Sequence, residues 1–227
     1  MSDDRVVVIG DALIDELRDP RGVREFIGGA ALNVAVGLSV LGVPTTLIAM
    51  VGDDEPGDRI RELLDAYRVE LLASPSPLGT ARAVSERGPS GEPAYVFSEA
   101  ARQRRIRYGE AERAAIGAAP ITVVSCVAFD DEDQTNDLTE AVGGTPTRLV
   151  IDPNPRAGMM HDRDRFIAGF EALVPAAALV KIGDDDARLL YRASLAEMRD
   201  RMLRLGAAAV LSTAGADGAR VDGSGVS

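Results

Sequence analysis

Residues 28–51 read GGAALNVAVGLSVLGVPTTLIAMV. The paired glycines interrupt whatever precedes them, because glycine enters backbone conformations closed to other residues. Residues 30–41 then run small and apolar up to Gly42, which stands where a helix-ending glycine belongs. That stretch reads as a buried helix, and residues 45–51 read as a strand. A glycine break, a buried helix and a buried strand in that order make one turn of an α/β winding.

The winding extends in both directions. Upstream, residues 5–9 form a short apolar run ending in Gly10 and read as a buried strand. Residues 11–26 mix polarities around Asp19-Pro20-Arg21-Gly22, a hairpin signal. Downstream, residues 55–67 form a helix with Pro56 in its first turn and Ile60, Leu63, Leu64 and Tyr67 at helical spacing. Between Pro75 and Tyr108 the texture changes. Residues 80–85 and 94–98 read as short strands around the turn Gly88-Pro89-Ser90-Gly91, and Arg102, Arg104, Arg105 and Arg107 follow. This stretch reads as an excursion from the main sheet. From Gly109 the alternation returns, with strands at 121–124, 148–151, 177–181 and 207–211. A two-part helical stretch, 184–205, ends at Gly206. Repeated alternation of this kind predicts a mostly parallel sheet with helices on both faces.

The chain has 227 residues, 46% of them hydrophobic, enough for one sizeable core. Its formal charge of −11 disfavours broad contact with nucleic acid or an anionic membrane. A mononucleotide can still bind, because local backbone dipoles hold phosphate against the net charge. Cys126 is the single cysteine, so no intrachain disulfide forms, which fits a reducing cytoplasm. Residues 1–4 carry no signal-peptide pattern, and no apolar run approaches the roughly 20 residues that span a bilayer.

Two common nucleotide signatures are missing. There is no G-x-x-x-x-G-K-[ST], and no G-x-G-x-x-G follows the first strand. One histidine and one cysteine leave no zinc cluster and disfavour a Ser-His-Asp triad, and His161, in a polar stretch, reads as an exposed or capping residue. What is present has another shape. The run Gly10-Asp11-Ala12-Leu13-Ile14-Asp15 carries a carboxylate past the end of the first strand, where open α/β sheets bind ligands. Asn33 follows the glycine pair within the first turns of a helix, a poor place for asparagine unless it hydrogen-bonds something. Asp15 could equally be a solvated hairpin charge, and Asn33 could bond neighbouring backbone.

Together these motifs point to a family. The run Gly28-Gly29-x-x-x-Asn33-x-Ala35, then Leu41-Gly42, then Gly52-x-Asp54-x-x-Gly57 resembles the first signature of PfkB/ribokinase-type carbohydrate kinases. Asp152-Pro153-Asn154-Pro155-Arg156 resembles the D-x-N-x-R of the fructokinase and ketodeoxygluconate-kinase branches. Val180-Lys181-Ile182 resembles the strand before the family's N-x-x-E motif. Thr213-Ala214-Gly215-Ala216-Asp217-Gly218 resembles its T-x-G-x-x-G nucleotide loop. The resemblance covers essentially the whole chain.

The resemblance implies a ribokinase-like α/β fold across residues 1–227: a doubly wound, mostly parallel sheet with a small β-sheet lid drawn from about 13–26 and 79–100. The lid would close over the substrate about a hinge at Gly28 and Gly29, and would be a possible homodimer surface. The implied activity is transfer of a phosphoryl group from ATP, with Mg2+, to the hydroxyl of a fructose-like or ketodeoxysugar substrate in the cytoplasm. A nucleoside substrate is less favoured. Asp15, Gly29 and Asn33 would bind sugar, and Arg156 would approach the transferred phosphate unless it only makes a surface ion pair. Thr213, Gly215 and Gly218 would line the nucleotide site, with a plain turn as the alternative. Asp186 would serve the metal, and Asp54 matches a motif position where helix capping is an equal role.

There are departures. The N-x-x-E position reads Gly183-Asp184-Asp185-Asp186, and the tryptophan common after D-x-N-x-R is replaced by Met159-Met160. The family's D-T-x-G-A-G-D segment, whose last aspartate is the catalytic base, is matched nowhere in the chain. On that ground the chain is expected to be incomplete at its C-terminus and not to turn over as it stands. A non-catalytic sugar-binding or regulatory remnant is the alternative.

Overall fold

The computed structural model describes residues 5–19, 22–87 and 93–223. In chain order its strands are β1 (Val6–Gly10), β2 (Leu13–Asp19), β3 (Gly22–Gly28), β4 (Thr45–Gly52), β5 (Glu70–Ser76), β6 (Arg82–Arg87), β7 (Pro93–Phe97), β8 (Ile121–Ser125), β9 (Arg148–Asp152), β10 (Ala177–Gly183), β11 (Ala209–Thr213) and β12 (Ala219–Gly223). Its helices are α1 (Ala30–Val40), α2 (Glu55–Ala66), α3 (Glu99–Arg102), α4 (Glu110–Ala118), α5 (Glu132–Val142), α6 (Arg163–Leu173), α7 (Asp184–Asp186) and α8 (Leu195–Leu205).

Eight strands form one sheet in the order β12-β11-β10-β9-β8-β1-β4-β5. All neighbours are parallel except β12, which returns antiparallel to β11. The chain builds outward from β1 through β4 to β5, then crosses back to β8 and builds the other way. The order therefore reverses between β1 and β8, and a crevice opens there at the carboxyl ends of the strands. β1 and β4 are buried along their whole length, as expected for strands covered on both faces. One face packs Ile9, Phe129, Phe166, Phe170 and Ile182 under the later helices. The other packs Val8, Leu47, Ile60 and Leu64 under α1 and α2.

The remaining four strands form a separate sheet, β3-β2-β6-β7, drawn from the two stretches that interrupt the alternation. β2 pairs antiparallel with β3 and parallel with β6, and β6 pairs antiparallel with β7. The turn residues expected at Pro20-Arg21 and Gly88–Gly91 lie outside the described residues. A small apolar seam of Leu13, Ala81, Ala83, Ala101, Cys126 and Met159 joins this sheet to the rest. On its other face Arg82 bridges Glu16 (3.3 Å) and Glu25 (2.5 Å), and Arg59 of α2 also reaches Glu25 (2.5 Å).

Two strands go beyond the sequence reading. β5 lacks a β-branched residue and contains Pro75, which an edge strand tolerates because it has only one neighbour. β12 has one large apolar residue, Val221, and is the opposite edge. The strand expected at 207–211 starts at Ala209. Gly206 adopts φ 106° and the Ala207 N–H turns back to the Met202 carbonyl (3.1 Å), so the helix end consumes those residues. The two-part helical stretch is α7 with a π-helical turn at Ala187–Tyr191, a left-handed Arg192, and α8 behind a Ser194–Glu197 capping box. No helix among the described residues is long and apolar enough to cross a membrane.

Candidate active site

The crevice at the β1/β8 reversal is lined first by Asp11, directly after β1. Its Oδ1 accepts the Ala31 N–H (3.1 Å) and its backbone carbonyl accepts the Leu32 N–H (3.2 Å). The N-cap of α1 is Gly29, which has no side chain to cap with, so Asp11 serves that end from another strand. Burial pushes the Asp11 carboxyl above the usual range, opposed by the Ala31 N–H and the nearby Arg104 charge. Across the crevice Cys126 is buried with φ 57°, and burial, then the Asp11 charge, pushes its thiol up.

Arg104 holds this region together. Its guanidinium donates to four backbone carbonyls: Ala101 (3.3 Å), Cys126 (3.1 Å), Val127 (3.1 Å) and Met159 (3.1 Å). These lie after the smaller sheet, after β8 and after β9. One side chain thus satisfies three loops that would otherwise leave carbonyls unpaired.

Asp15 sits on β2 with Phe26 and Ala83 as its cross-strand partners. Its carboxylate lies over Gly28, where an added Cβ would fall 2.1 Å from Oδ2. Gly28 is therefore needed for space. Gly29 is needed for conformation as well, with φ 115° and a Cβ position 2.5 Å from the Asp11 carbonyl. No protein group among the described residues hydrogen-bonds the Asp15 carboxylate. Burial raises its pKa, the Asp11 charge raises it further, and Arg156 lowers it. Asn33 projects from the first turns of α1 and is exposed; its backbone N–H bonds the Gly29 carbonyl, while its side-chain amide has no protein partner among the described residues. The backbone-bonding alternative for that side chain is thereby set aside.

Asp15, Gly29, Asn33 and Arg156 line one cavity of about 730 Å³, roofed by Tyr95 and Phe97 of β7. Arg156 is exposed, and no carboxylate among the described residues pairs with it, so it is no surface ion pair. Its charge lowers the carboxyls of Asp15, Asp152 and Asp186 alike, although burial leaves all three raised on balance. Asn154, two residues earlier, is buried with φ 39° and turns the chain into position.

Thr213, Gly215, Gly218 and Asp186 do not line that cavity; they gather at the ends of β10 and β11. The Asp186 carboxylate accepts the Gly183 N–H (2.7 Å), and Thr213 Oγ1 donates to the Ile182 carbonyl (3.2 Å). Gly215 (φ 54°) and Gly218 (φ 92°) form the turn into β12, closed by the Ala214 N–H on the Gly218 carbonyl (2.8 Å). A Cβ at either would meet nothing within 4 Å. Lys181, the only lysine, pairs with Asp152 (3.3 Å) between the two groups.

No cluster of three or more potential metal ligands occurs among the described residues. Asp152 is taken by Lys181 and one Asp186 oxygen by Gly183. These donors do not form a cage; Asp186 would reach a magnesium ion through water. Asp54 is a cap: it accepts from Gly57 N–H (3.0 Å), Thr80 N–H (2.8 Å) and Thr80 Oγ1 (2.5 Å), tying α2 to the entry of β6. Its pKa is raised by burial but lowered further by the Thr80 and Gly57 bonds, and ends below the usual range. His161 is exposed, with Nε2 3.0 Å from the Arg102 carbonyl.

Sequence reasoning missed Asp11, Arg104, Tyr95 and Phe97. The signal for Asp11 was present, a carboxylate directly after a buried strand, but the spacing directed attention to Asp15. Arg104 was one arginine in a run of four, and nothing local separates it from its neighbours.

A family model for "pfkB family carbohydrate kinase" matches residues 3–226. A fructokinase of Rhizobium leguminosarum bv. trifolii is 26% identical over 232 residues, covering 94% of this chain and 68% of that protein. The acarbose 7(IV)-phosphotransferase of an Actinoplanes strain is 31% identical over 151 residues, 65% of this chain and 46% of that protein. The structure of Xylella fastidiosa fructokinase with bound ATP superposes with a TM-score of 0.81 at 21% identity, covering 98% of this chain and 76% of that one. The eight-stranded sheet with its smaller companion is thus the ribokinase-like fold, and the chain belongs to the pfkB family of carbohydrate kinases.

Proposed function

We propose that this chain binds a sugar at the β1/β8 crevice for ATP-dependent phosphoryl transfer to one of its hydroxyls, with a fructose-like or ketodeoxysugar substrate. The observation that carries this reading is the convergence of Asp15, Asn33, Gly29 and Arg156 on one cavity. Asp15 has two oxygens without a protein partner among the described residues, which suits acceptance from adjacent hydroxyls. Asn33 adds a donor and an acceptor, and Gly29 lets the backbone approach the ring. Arg156, with no carboxylate of its own, would meet the charge on the migrating phosphoryl group. Thr213, Gly215 and Gly218 would hold the nucleotide, and Asp186 would contact magnesium through water. Magnesium, when bound, neutralises phosphate charge. The 227 residues contain no match to the family's base segment, so we assign that role to no residue here.

In this reading the smaller sheet closes over the sugar, Gly28 and Gly29 act as the hinge, and the open edges β3 and β7 can pair with a second copy. Calorimetric titration of fructose, ribose, ketodeoxygluconate and adenosine tests it. Saturable binding of fructose or ketodeoxygluconate that Asp15→Ala weakens about tenfold or more is the expected result; binding indifferent to Asp15, or none, refutes it. Sugar-stimulated ADP release, measured in parallel, separates a kinase from a non-catalytic sugar binder.

A further inference from the structure

Helix α1 begins without a cap of its own. At Gly29 the positive φ, and a Cβ position only 2.5 Å from the Asp11 carbonyl, rule out the serine or aspartate that would ordinarily accept the first N–H groups. Asp11 takes over that work from the end of β1. Its side chain accepts the Ala31 N–H at 3.1 Å and its backbone accepts the Leu32 N–H at 3.2 Å. Ala31 and Leu32 are the second and third residues of α1, and the next is Asn33. Gly10 permits the contact, since a Cβ there would stand 2.8 Å from the Ala31 Cβ. In the other direction Ala12, Leu13 and Ile14 are all buried, so packed chain carries Asp11 to Asp15. Asp11 is thus the junction between Asp15 and Asn33, which both line the cavity with no side-chain partner among the described residues.

The geometry points to Asp11 as the positioning residue for Asn33: by pinning the first turn of α1 to the end of β1, it fixes the span between the Asn33 amide and the Asp15 carboxylate that a sugar must fit. This rests on the sugar-site reading above. Asp11 acts through Asn33 and needs no contact with the sugar. Without its side chain the Ala31 N–H has no acceptor, the first turn frays, and a sugar must reorder that turn before it can use Asn33. The bond from the Leu32 N–H to the Asp11 backbone survives such a change, so the loss is partial. A direct contact between Asp11 and sugar, or a general loss of stability, would behave differently, because neither depends on Asn33.

The test is a double-mutant cycle read by calorimetric titration of fructose and ketodeoxygluconate. It uses the whole chain, Asp11→Ala, Asn33→Ala, the two combined, Asp11→Asn and Asp15→Ala, with a thermal melt of each. Asp11→Ala should weaken sugar binding about five- to tenfold, within the range of a lost helix cap. Asp11→Asn keeps an oxygen for the Ala31 N–H and should return affinity to within about twofold of the unmodified chain. In the Asn33→Ala background Asp11→Ala should cost less than about twofold, the non-additivity of two residues that act as one. Should Asp11→Ala fail to fold, Asp11→Ser, whose hydroxyl stands one bond short of the Oδ1 position, takes its place in the cycle. Equal factors in the two backgrounds overturn this inference and assign Asp11 to direct contact or to stability alone. Full affinity in Asp11→Ala or in Asn33→Ala, or Asp11→Asn as weak as Asp11→Ala, overturns it too. Binding indifferent to Asp15→Ala, or no binding, overturns the sugar site and this inference together.

Discussion

The two ends of the candidate site are built on opposite principles. At the proposed sugar end, glycines exist because something else occupies the space: the Ser125 carbonyl lies 1.8 Å from a Cβ on Gly10, and the Asp15 carboxylate 2.1 Å from one on Gly28. At the proposed nucleotide end, Gly215 and Gly218 stand in open surroundings and are required only by their positive φ angles. The first end is fixed by packing before any ligand arrives. The second is an exposed turn whose shape is local. A glycine motif therefore carries different information in the two places, although the sequence spells both alike.

The strongest way to break this contrast is Gly10→Ala. Its Cβ must part the two central strands and also adopt φ 154°, and overpacking alone costs about 1–3 kcal/mol. With the added backbone strain we expect a loss of about 3 kcal/mol or more in urea unfolding. An equal loss in Gly218→Ala would erase the distinction. Next in size, Asp15→Ala should weaken sugar binding by about 1–3 kcal/mol in calorimetry while leaving the thermal midpoint nearly unmoved, since that carboxylate makes no protein hydrogen bond among the described residues.

Gly28→Ala and Gly218→Ala sharpen the comparison. The atom that a Gly28 Cβ meets is the far end of a side chain, so Asp15 can swing away; sugar affinity should fall about tenfold, roughly 1.4 kcal/mol, with little change in stability. Gly218→Ala should do the reverse, costing about 1 kcal/mol of stability through its positive φ and leaving sugar affinity intact. Paired thermal melts and titrations read both.

The smallest effect is in pH. Sugar hydroxyls donate to an ionised carboxylate, so affinity is full above the Asp15 pKa and is lost as pH falls through it. Burial first, and the Asp11 charge second, raise that pKa above 3.8, so the loss comes at a higher pH than for an ordinary aspartate. Asp11→Asn removes the second cause and should move the midpoint to lower pH; no movement would remove Asp11 from the account. Protonation of Asp15 does not itself unfold the protein in this window. A carboxyl whose folded pKa is raised takes up its proton more readily in the fold, so acidification through the window favours the folded state. Asp54 and Glu171 have lowered values, burial being outweighed by their hydrogen bonds, and their stabilisation is present above the unfolded values and is lost as pH falls from there through the lower folded ones, so a thermal melt at each pH accompanies the titration.

Much of this was legible in the chain itself. Continuous apolar runs announced β1 and β4, and breaks in the alternation announced the strands that leave the main sheet. Asp15 and Asn33 were legible from their places after a strand end and a glycine pair, and Gly29 and Arg156 through motifs that resemble the family's. Arg104 and the Tyr95–Phe97 roof were not, for one reason: their roles depend on partners far away in sequence. Arg104 bonds carbonyls 22, 23 and 55 positions distant, and the face that Tyr95 presents is set by a strand register that passes through β6 to β2. β5 was missed because its only strong strand credential is its neighbour.

That edge strand has a consequence for the protein in a crowded solution. Backbone left unpaired at the side of a sheet is a template on which further chains can polymerise. Pro75 offers no N–H to an incoming strand, and at the opposite edge Arg220 and Asp222 put charge into β12. Among the described residues Pro75 therefore guards the β5 flank of the large sheet against growth, and replacing it with valine, a better strand former by propensity, would trade that protection for a stickier molecule.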